Sequence, residues 1–241
     1  MSATNISLVF LNRNILVIMF ATAFMGSLFY LPFGFFALYP FRIFILVLLS
    51  ISISETLLRG RIALLNFWDV RYQLLFFLLW LLYAFISCLW VYSFEAYIRD
   101  SVLLFIGIAT IFTTVYYTRS FETIKCLYWL WLLALAALIF VGIWEIKTGH
   151  HLSTSKLSGE VELRFLYFPT GTFHNQNDYA TFLSLSFPFA LSALRYSQFL
   201  VQKFFSFAVA VFVLAFILIS NYRANILAIS LTIIDALILF C

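Results

Sequence analysis

The stretch CLYWLWLLALAALIFVGIW, Cys126 to Trp144, runs for 19 residues without a charge. Crossing a bilayer as a helix takes about 20 apolar residues, and this run comes close to that length. The rest of the chain has the same character. It is 65% hydrophobic, 21% aromatic and 10% charged, with a mean hydropathy of +1.07, whereas soluble domains carry roughly 25% charged residues. In lipid every backbone polar group must find its partner inside the protein, so spanning segments are helices or closed barrels. Barrel strands alternate apolar and polar residues over about 10 positions. The runs here are continuous, and the chain reads as an all-α polytopic membrane protein.

Cutting the sequence at charges and at Gly/Pro clusters leaves about eight such runs. They are Asn14 to Leu31, Phe33 to Ser54, Tyr72 to Val91, Ser101 to Tyr117, Cys126 to Trp144, Tyr179 to Leu194, Phe204 to Ser220 and Ala224 to Phe240. Pro40 and Arg42 interrupt the second near its start. The first is long and lacks a small-residue cleavage site before Tyr30-Leu31-Pro32, which reads as a retained helix and not a signal peptide. No internal repeat is visible, and residues 1–241 read as one transmembrane domain. Lys and Arg favour the cytoplasmic side. With the N-terminus inside, that side holds Arg13, Arg59, Arg61, Arg71, Arg119, Lys125, Arg195 and Lys203, eight residues against six outside. The expected orientation therefore has a cytoplasmic N-terminus and an outer loop at 145–170, long beside the other connections. Cys88, Cys126 and Cys241 form no disulfide or metal framework. The net charge of +4 is distributed over loops and is no nucleic-acid signal.

Directly before the Tyr179 run stands GTFHNQND, Gly171 to Asp178, a polar cluster between apolar segments. Asn175, Asn177 and Asp178 suit a helix N-terminus, where side chains satisfy the first free N–H groups. Such a terminus also suits an anion, although Asp178 opposes one. Arg164 and Arg223, at outer helix ends, carry the rigid donor fork that matches phosphate oxygens; the alternative is that each reaches the interface only to meet lipid headgroups. Of the three histidines, His174 lies in the cluster. The His150-His151 pair lacks further ligands at zinc-like spacing and reads as ordinary loop. Asp235, midway along the last run, is costly in lipid and is expected to face a bundle interior, as an ion path or as the partner of another helix.

Arg164, then Pro169-Thr170-Gly171-Thr172-Phe173 and the Asn175/Asn177 pair leading into a helix, resemble the motif of the O-antigen ligase and polysaccharide polymerase superfamily. Ser220-Asn221-Tyr222-Arg223-Ala224 resembles its second motif, and Ser87 to Val91 and Gly142 to Leu152 are similar to members that build surface polysaccharides in Gram-positive bacteria. The resemblance implies a glycosyltransferase in the bacterial cytoplasmic membrane that moves or polymerises glycan from an undecaprenyl diphosphate carrier onto an acceptor hydroxyl on the outer face. On that basis Arg164 and Arg223 hold the diphosphate, and Gly171, His174, Asn175, Asn177 and Asp178 form the motif that contacts substrate. Charge developing on the leaving group is met by fixed cations, without metal or cofactor. Further partners are membrane lipids and other membrane proteins of polysaccharide assembly. Members draw a catalytic base from a histidine in a large outer loop after the second motif. The sequence reaches Cys241 before any such loop, so no catalytic residue is assigned and a C-terminally truncated product is expected. Two alternatives stand beside this: an inactive remnant, and a transporter or flippase for a lipid-linked substrate, for which only Asp235 has the midplane position. Tyr167 and Phe173 are outer aromatics suited to stacking on sugar.

Overall fold

The computed structural model describes residues 3–25, 28–29, 31–33, 36–59, 70–118, 120–159, 168–220 and 222–240. The described residues form eight α-helices, α1 (Ala3–Ala23), α2 (Pro40–Arg59), α3 (Arg71–Ile86), α4 (Phe94–Tyr117), α5 (Phe121–Thr148), α6 (Gln176–Tyr196), α7 (Leu200–Ser220) and α8 (Arg223–Phe240). A single 3₁₀ turn, Ser87–Leu89, follows α3. Five helices, α2 to α5 and α7, are long and apolar enough to cross a membrane. The chain is a helical membrane protein. In α6 the polar residues Asn177, Asp178, Ser184, Ser186 and Arg195 dilute the apolar run.

Helix boundaries depart from the apolar runs for local reasons. The first run extends to Leu31, but α1 ends at Ala23 and residues Leu31–Phe33 (β1) pair antiparallel with Phe36–Leu38 (β2), with Leu31 opposite Leu38 and Phe33 opposite Phe36. The expected start of the second run at Phe33 is thereby moved to Pro40. Proline there is a helix opener, because its fixed φ suits the first turn and its missing N–H is not needed; the amides of Arg42 and Ile43 bond the Tyr39 carbonyl. Ser93 caps α4, its hydroxyl accepting from the Ala96 amide at 3.4 Å, so this helix begins seven residues before the Ser101 that opens the expected run.

The chain divides into two compact units, one of residues 1–23 and 29–127, the other of residues 24–28 and 128–241. In the first, Leu16 and Met19 of α1, Ile45 and Leu48 of α2, and Ala109 and Tyr116 of α4 form the core. Polar ties run through it. Glu55 accepts from Asn12 Nδ2 and from the Tyr116 hydroxyl, both at 3.1 Å, and the Tyr117 hydroxyl donates to the Leu48 carbonyl. Helix α3 is apolar on every side and buries no residue, which is the surface that lipid tolerates.

In the second unit, Leu132, Leu135 and Leu138 of α5 pack with Tyr179, Leu183 and Phe187 of α6, Val213, Phe216 and Ile217 of α7, and Ile229 of α8. Lipid tails are as apolar as these side chains, so close packing and interhelical hydrogen bonds hold such helices together. Helix α6 presents Ala180, Ser184, Ala190 and Ala193 among its buried residues, and Trp131 Nε1 donates to the Ser186 hydroxyl at 3.0 Å. Phe24 lies edge-on to Trp131, with centroids 4.9 Å apart.

Gly142 marks a close approach in this unit. A Cβ there would lie 2.6 Å from the Tyr179 hydroxyl oxygen and 2.8 Å from Phe216 Cε2. Gly142→Ala is therefore expected to destabilise the second unit by about 1–3 kcal/mol, the usual range for overpacking. Thermal unfolding in detergent should show the loss, and a neutral Gly142→Ala would contradict this packing.

Candidate functional site

The polar cluster that precedes α6 is held from below by a residue in the last turn of α5. Glu145 is completely buried. Its Oε2 accepts from the Thr170 amide at 2.7 Å and the Gly171 amide at 2.8 Å, and its Oε1 accepts from the Thr170 hydroxyl at 3.0 Å. Nδ1 of His151 lies 3.3 Å from Oε1. In the Nδ1–H tautomer the imidazole donates to this oxygen. Four donors thus fill the roughly four lone-pair positions a carboxylate offers.

Local backbone chemistry makes this convergence possible. Helix α5 is closed just past Thr148 by Gly149, which adopts φ 68° and returns its amide to the Glu145 carbonyl at 2.8 Å, the left-handed cap that glycine favours. The reversal brings His151 back over Glu145. The pair His150-His151 is therefore more than ordinary loop: the His151 side chain is 1% exposed. Gly171 takes φ 57° in a turn closed by the Phe173 amide on the Thr170 carbonyl at 3.0 Å. A Cβ at Gly171 would also meet the Tyr179 ring at 3.0 Å, and Tyr179 itself donates to the Leu138 carbonyl at 2.9 Å.

The motif residues divide into groups. Asn175 is the N-cap of α6, its Oδ1 accepting the Asp178 amide at 2.8 Å while its Nδ2 donates to the Asp178 carboxylate at 2.8 Å. Asn177 and Asp178 are exposed on the first turn. His174 is exposed, and its Nδ1–H donates to the Thr154 carbonyl at 3.1 Å; the Lys156 amide donates to the His174 carbonyl at 2.8 Å. These bonds pin the described part of the long loop to the motif. Thr172 donates to the Phe24 carbonyl at 2.9 Å.

The second motif meets the first. Tyr222, between α7 and α8, donates to Gln176 Oε1 at 2.6 Å, and burial pushes its phenol above the ordinary tyrosine range. Gln176 is the first residue of α6 and Arg223 the first of α8, so the hydrogen bond ties the two helix N-termini together. Their charges differ. The first turn of α6 carries Asp178, whereas that of α8 carries no acid and begins with the exposed Arg223. A helix N-terminus bears about half a positive charge, and at α8 the arginine adds to it. Arg164, Tyr167 and Asn221 lie outside the described residues. Asp235, expected inside a bundle, is exposed on α8.

Glu145, Tyr179 and Tyr222 are not legible in the sequence as site residues. A carboxylate at the border of a 19-residue apolar run is the available signal, since such groups are retained near lipid only with partners. Among the described residues no group of three or more His, Cys, Asp or Glu side chains could hold a metal ion.

The chain is 31% identical over 184 residues to the teichuronic acid biosynthesis protein TuaE of Bacillus subtilis (strain 168). The match covers 75% of this chain and 37% of that protein, so the chain spans well under half of the relative's length. No family model matches the chain, and no solved structure matches it.

Glu145→Gln retains the size of the side chain and replaces an acceptor with an amide that faces buried N–H groups. It is expected to lower stability by about 1–3 kcal/mol, the penalty for a buried donor left unmatched, with Glu145→Asp milder. Gly171→Ala, forced to a positive φ, should cost about 1–2 kcal/mol in addition to the Tyr179 contact. Unfolding in detergent measures all three, and wild-type stability in Glu145→Gln would rule out the clamp.

Proposed function

We propose that the chain takes part in surface polysaccharide assembly as a membrane glycosyltransferase of the O-antigen ligase and polymerase type, working on an undecaprenyl diphosphate-linked glycan at the outer face of the bacterial cytoplasmic membrane. The observation that carries the reading is the Tyr222–Gln176 hydrogen bond, which joins the two motifs through which the sequence resembles that superfamily. Similarity to a teichuronic acid biosynthesis protein supports the same direction. The proposed topology has eight crossings and a cytoplasmic N-terminus.

The anion site is best supplied by α8. Its dipole and Arg223 act with one sign. At α6 the Asp178 amide already has the Asn175 oxygen, and the Asp178 carboxylate adds negative charge. A diphosphate is therefore assigned to Arg223, with Arg164 as the second cation, while the α6 N-terminus positions the motif. As the sugar–oxygen bond breaks, negative charge grows on the departing diphosphate, and arginines already in place lower the barrier without reorganising. His174, Asn175, Asn177 and Asp178 border the glycan above the buried turn at Gly171, and the acceptor's proton goes to a base not assigned within these residues. Other membrane proteins of polysaccharide assembly and membrane lipids are the proposed partners.

Complementation of Bacillus subtilis lacking TuaE tests this, with wall uronic acid as the readout. The chain is expected to restore teichuronic acid. Arg223→Ala and Arg164→Ala should each lower the rate of appearance roughly 10- to 100-fold, matching about 1.5–3 kcal/mol for a hydrogen bond to a charged group. Arg223→Lys should retain part of the rate. Failure to restore polymer from protein shown to be in the membrane, or full restoration by both alanine variants, would overturn the proposal.

A further inference from the structure

A cleft of about 570 Å³ opens between the end of α3 and the start of α4, within the range of about 300–1,000 Å³ usual for small-molecule sites. Its existence has a simple cause. Ala84 of α3, Ser87 of the 3₁₀ turn, and Ala96 and Ser101 of α4 line it, and side chains this small leave a gap that larger ones would close. Three aromatic residues, Trp80, Tyr92 and Tyr97, line it beside the Asp100 carboxylate.

Trp80 is 49% exposed and Tyr92 fully so, which leaves ring faces available to a ligand. Tyr97 is held across the cleft by its hydroxyl, which donates to the Phe85 carbonyl at 3.3 Å. Asp100 meets Arg99 at 3.4 Å, both side chains being mostly exposed; such surface pairs are weak, so hydroxyl donors can compete for the carboxylate. Aromatic belts are common at membrane interfaces, but a belt needs no concavity. An acyl chain would sit against Asp100, a group that hydrocarbon disfavours.

We infer that this cleft binds a neutral pyranose unit of a glycan. The apolar face of the sugar ring packs on Trp80 and Tyr97, and its hydroxyls donate to Asp100 and exchange hydrogen bonds with Ser101. The Asp100 carboxylate accepts hydroxyl donors and not a second carboxylate, which favours a neutral sugar over a uronate. The inference rests on the reading of the chain as a glycan-assembly protein, whose Lys and Arg bias puts this end of α3 and α4 on the outer side.

The test uses the full chain in phosphatidylcholine/phosphatidylglycerol nanodiscs and saturation-transfer NMR with methyl β-glucoside, methyl β-N-acetylglucosaminide and methyl β-glucuronide. Transfer is expected to the two neutral glycosides and not to the glucuronide. Asp100→Asn should weaken binding at least about tenfold, as expected for losing a hydrogen bond to a charged group. Ala96→Leu fills the cleft and should abolish binding, with Trp80→Leu as the second apolar variant should Ala96→Leu fail to fold by circular dichroism. No transfer to either neutral glycoside, equal transfer to the glucuronide, competition by decanoate, or unchanged affinity in Asp100→Asn overturns the site. TuaE complementation separates the two ideas: restored polymer with no glycoside bound removes the cleft and leaves glycan assembly standing. Bound glycoside without restored polymer does the reverse.

Discussion

The arrangement before α6 depends on one buried carboxylate. Glu145 gathers two backbone amides, a hydroxyl and an imidazole, and so converts a run of irregular backbone into a fixed turn. Irregular backbone at the border of a membrane is tolerable only when its polar groups are satisfied within the protein. Each neighbouring feature follows from that turn. Gly171 can take its positive φ there, Tyr179 can pack under it, and Asn175 is delivered to the position where it caps α6. The left-handed cap at Gly149 completes the arrangement by returning His151 to the same carboxylate.

The second consequence is electrostatic. Two helix N-termini meet through Tyr222 and Gln176, and their first turns differ in charge. Helix α6 answers its Asp178 amide with the Asn175 side chain and adds the negative Asp178 carboxylate; α8 opens on Arg223 with no acid in its first turn. The asymmetry gives distinct parts to two motifs that look alike as polar openings of apolar helices. One opens on an acid beside its own capping asparagine, and the other opens on a cation.

Much of this is legible in the amino-acid sequence. Runs such as Cys126 to Trp144 announce membrane helices because hydrocarbon admits little else, and Asn175 reads correctly as a cap because the N-cap rule is local. What the sequence hides is either conformational or distant. Pro40 looks like an interruption and is the start of α2. The hairpin at Leu31–Phe33 and Phe36–Leu38 is hidden because a strand of three apolar residues cannot be told from a helix end by hydrophobicity. His151 looks like loop because its partner lies six positions back, a spacing with no helical meaning until Gly149 reverses the chain. Thr170 and Gly171 lie 25 and 26 residues from Glu145, and Tyr222 lies 46 from Gln176; no periodicity reports contacts at those separations. Asp235, expected inward on energetic grounds, is exposed, and nothing in the described residues accounts for its presence.

The central claim is that the Glu145 carboxylate holds the Thr170 and Gly171 amides. Hydrogen exchange of those two amides, followed by mass spectrometry on the protein in nanodiscs, tests it most directly. The account predicts exchange as slow as that of the buried α6 residues Ala180 and Leu183. Exchange at the rate of an unprotected loop would contradict it.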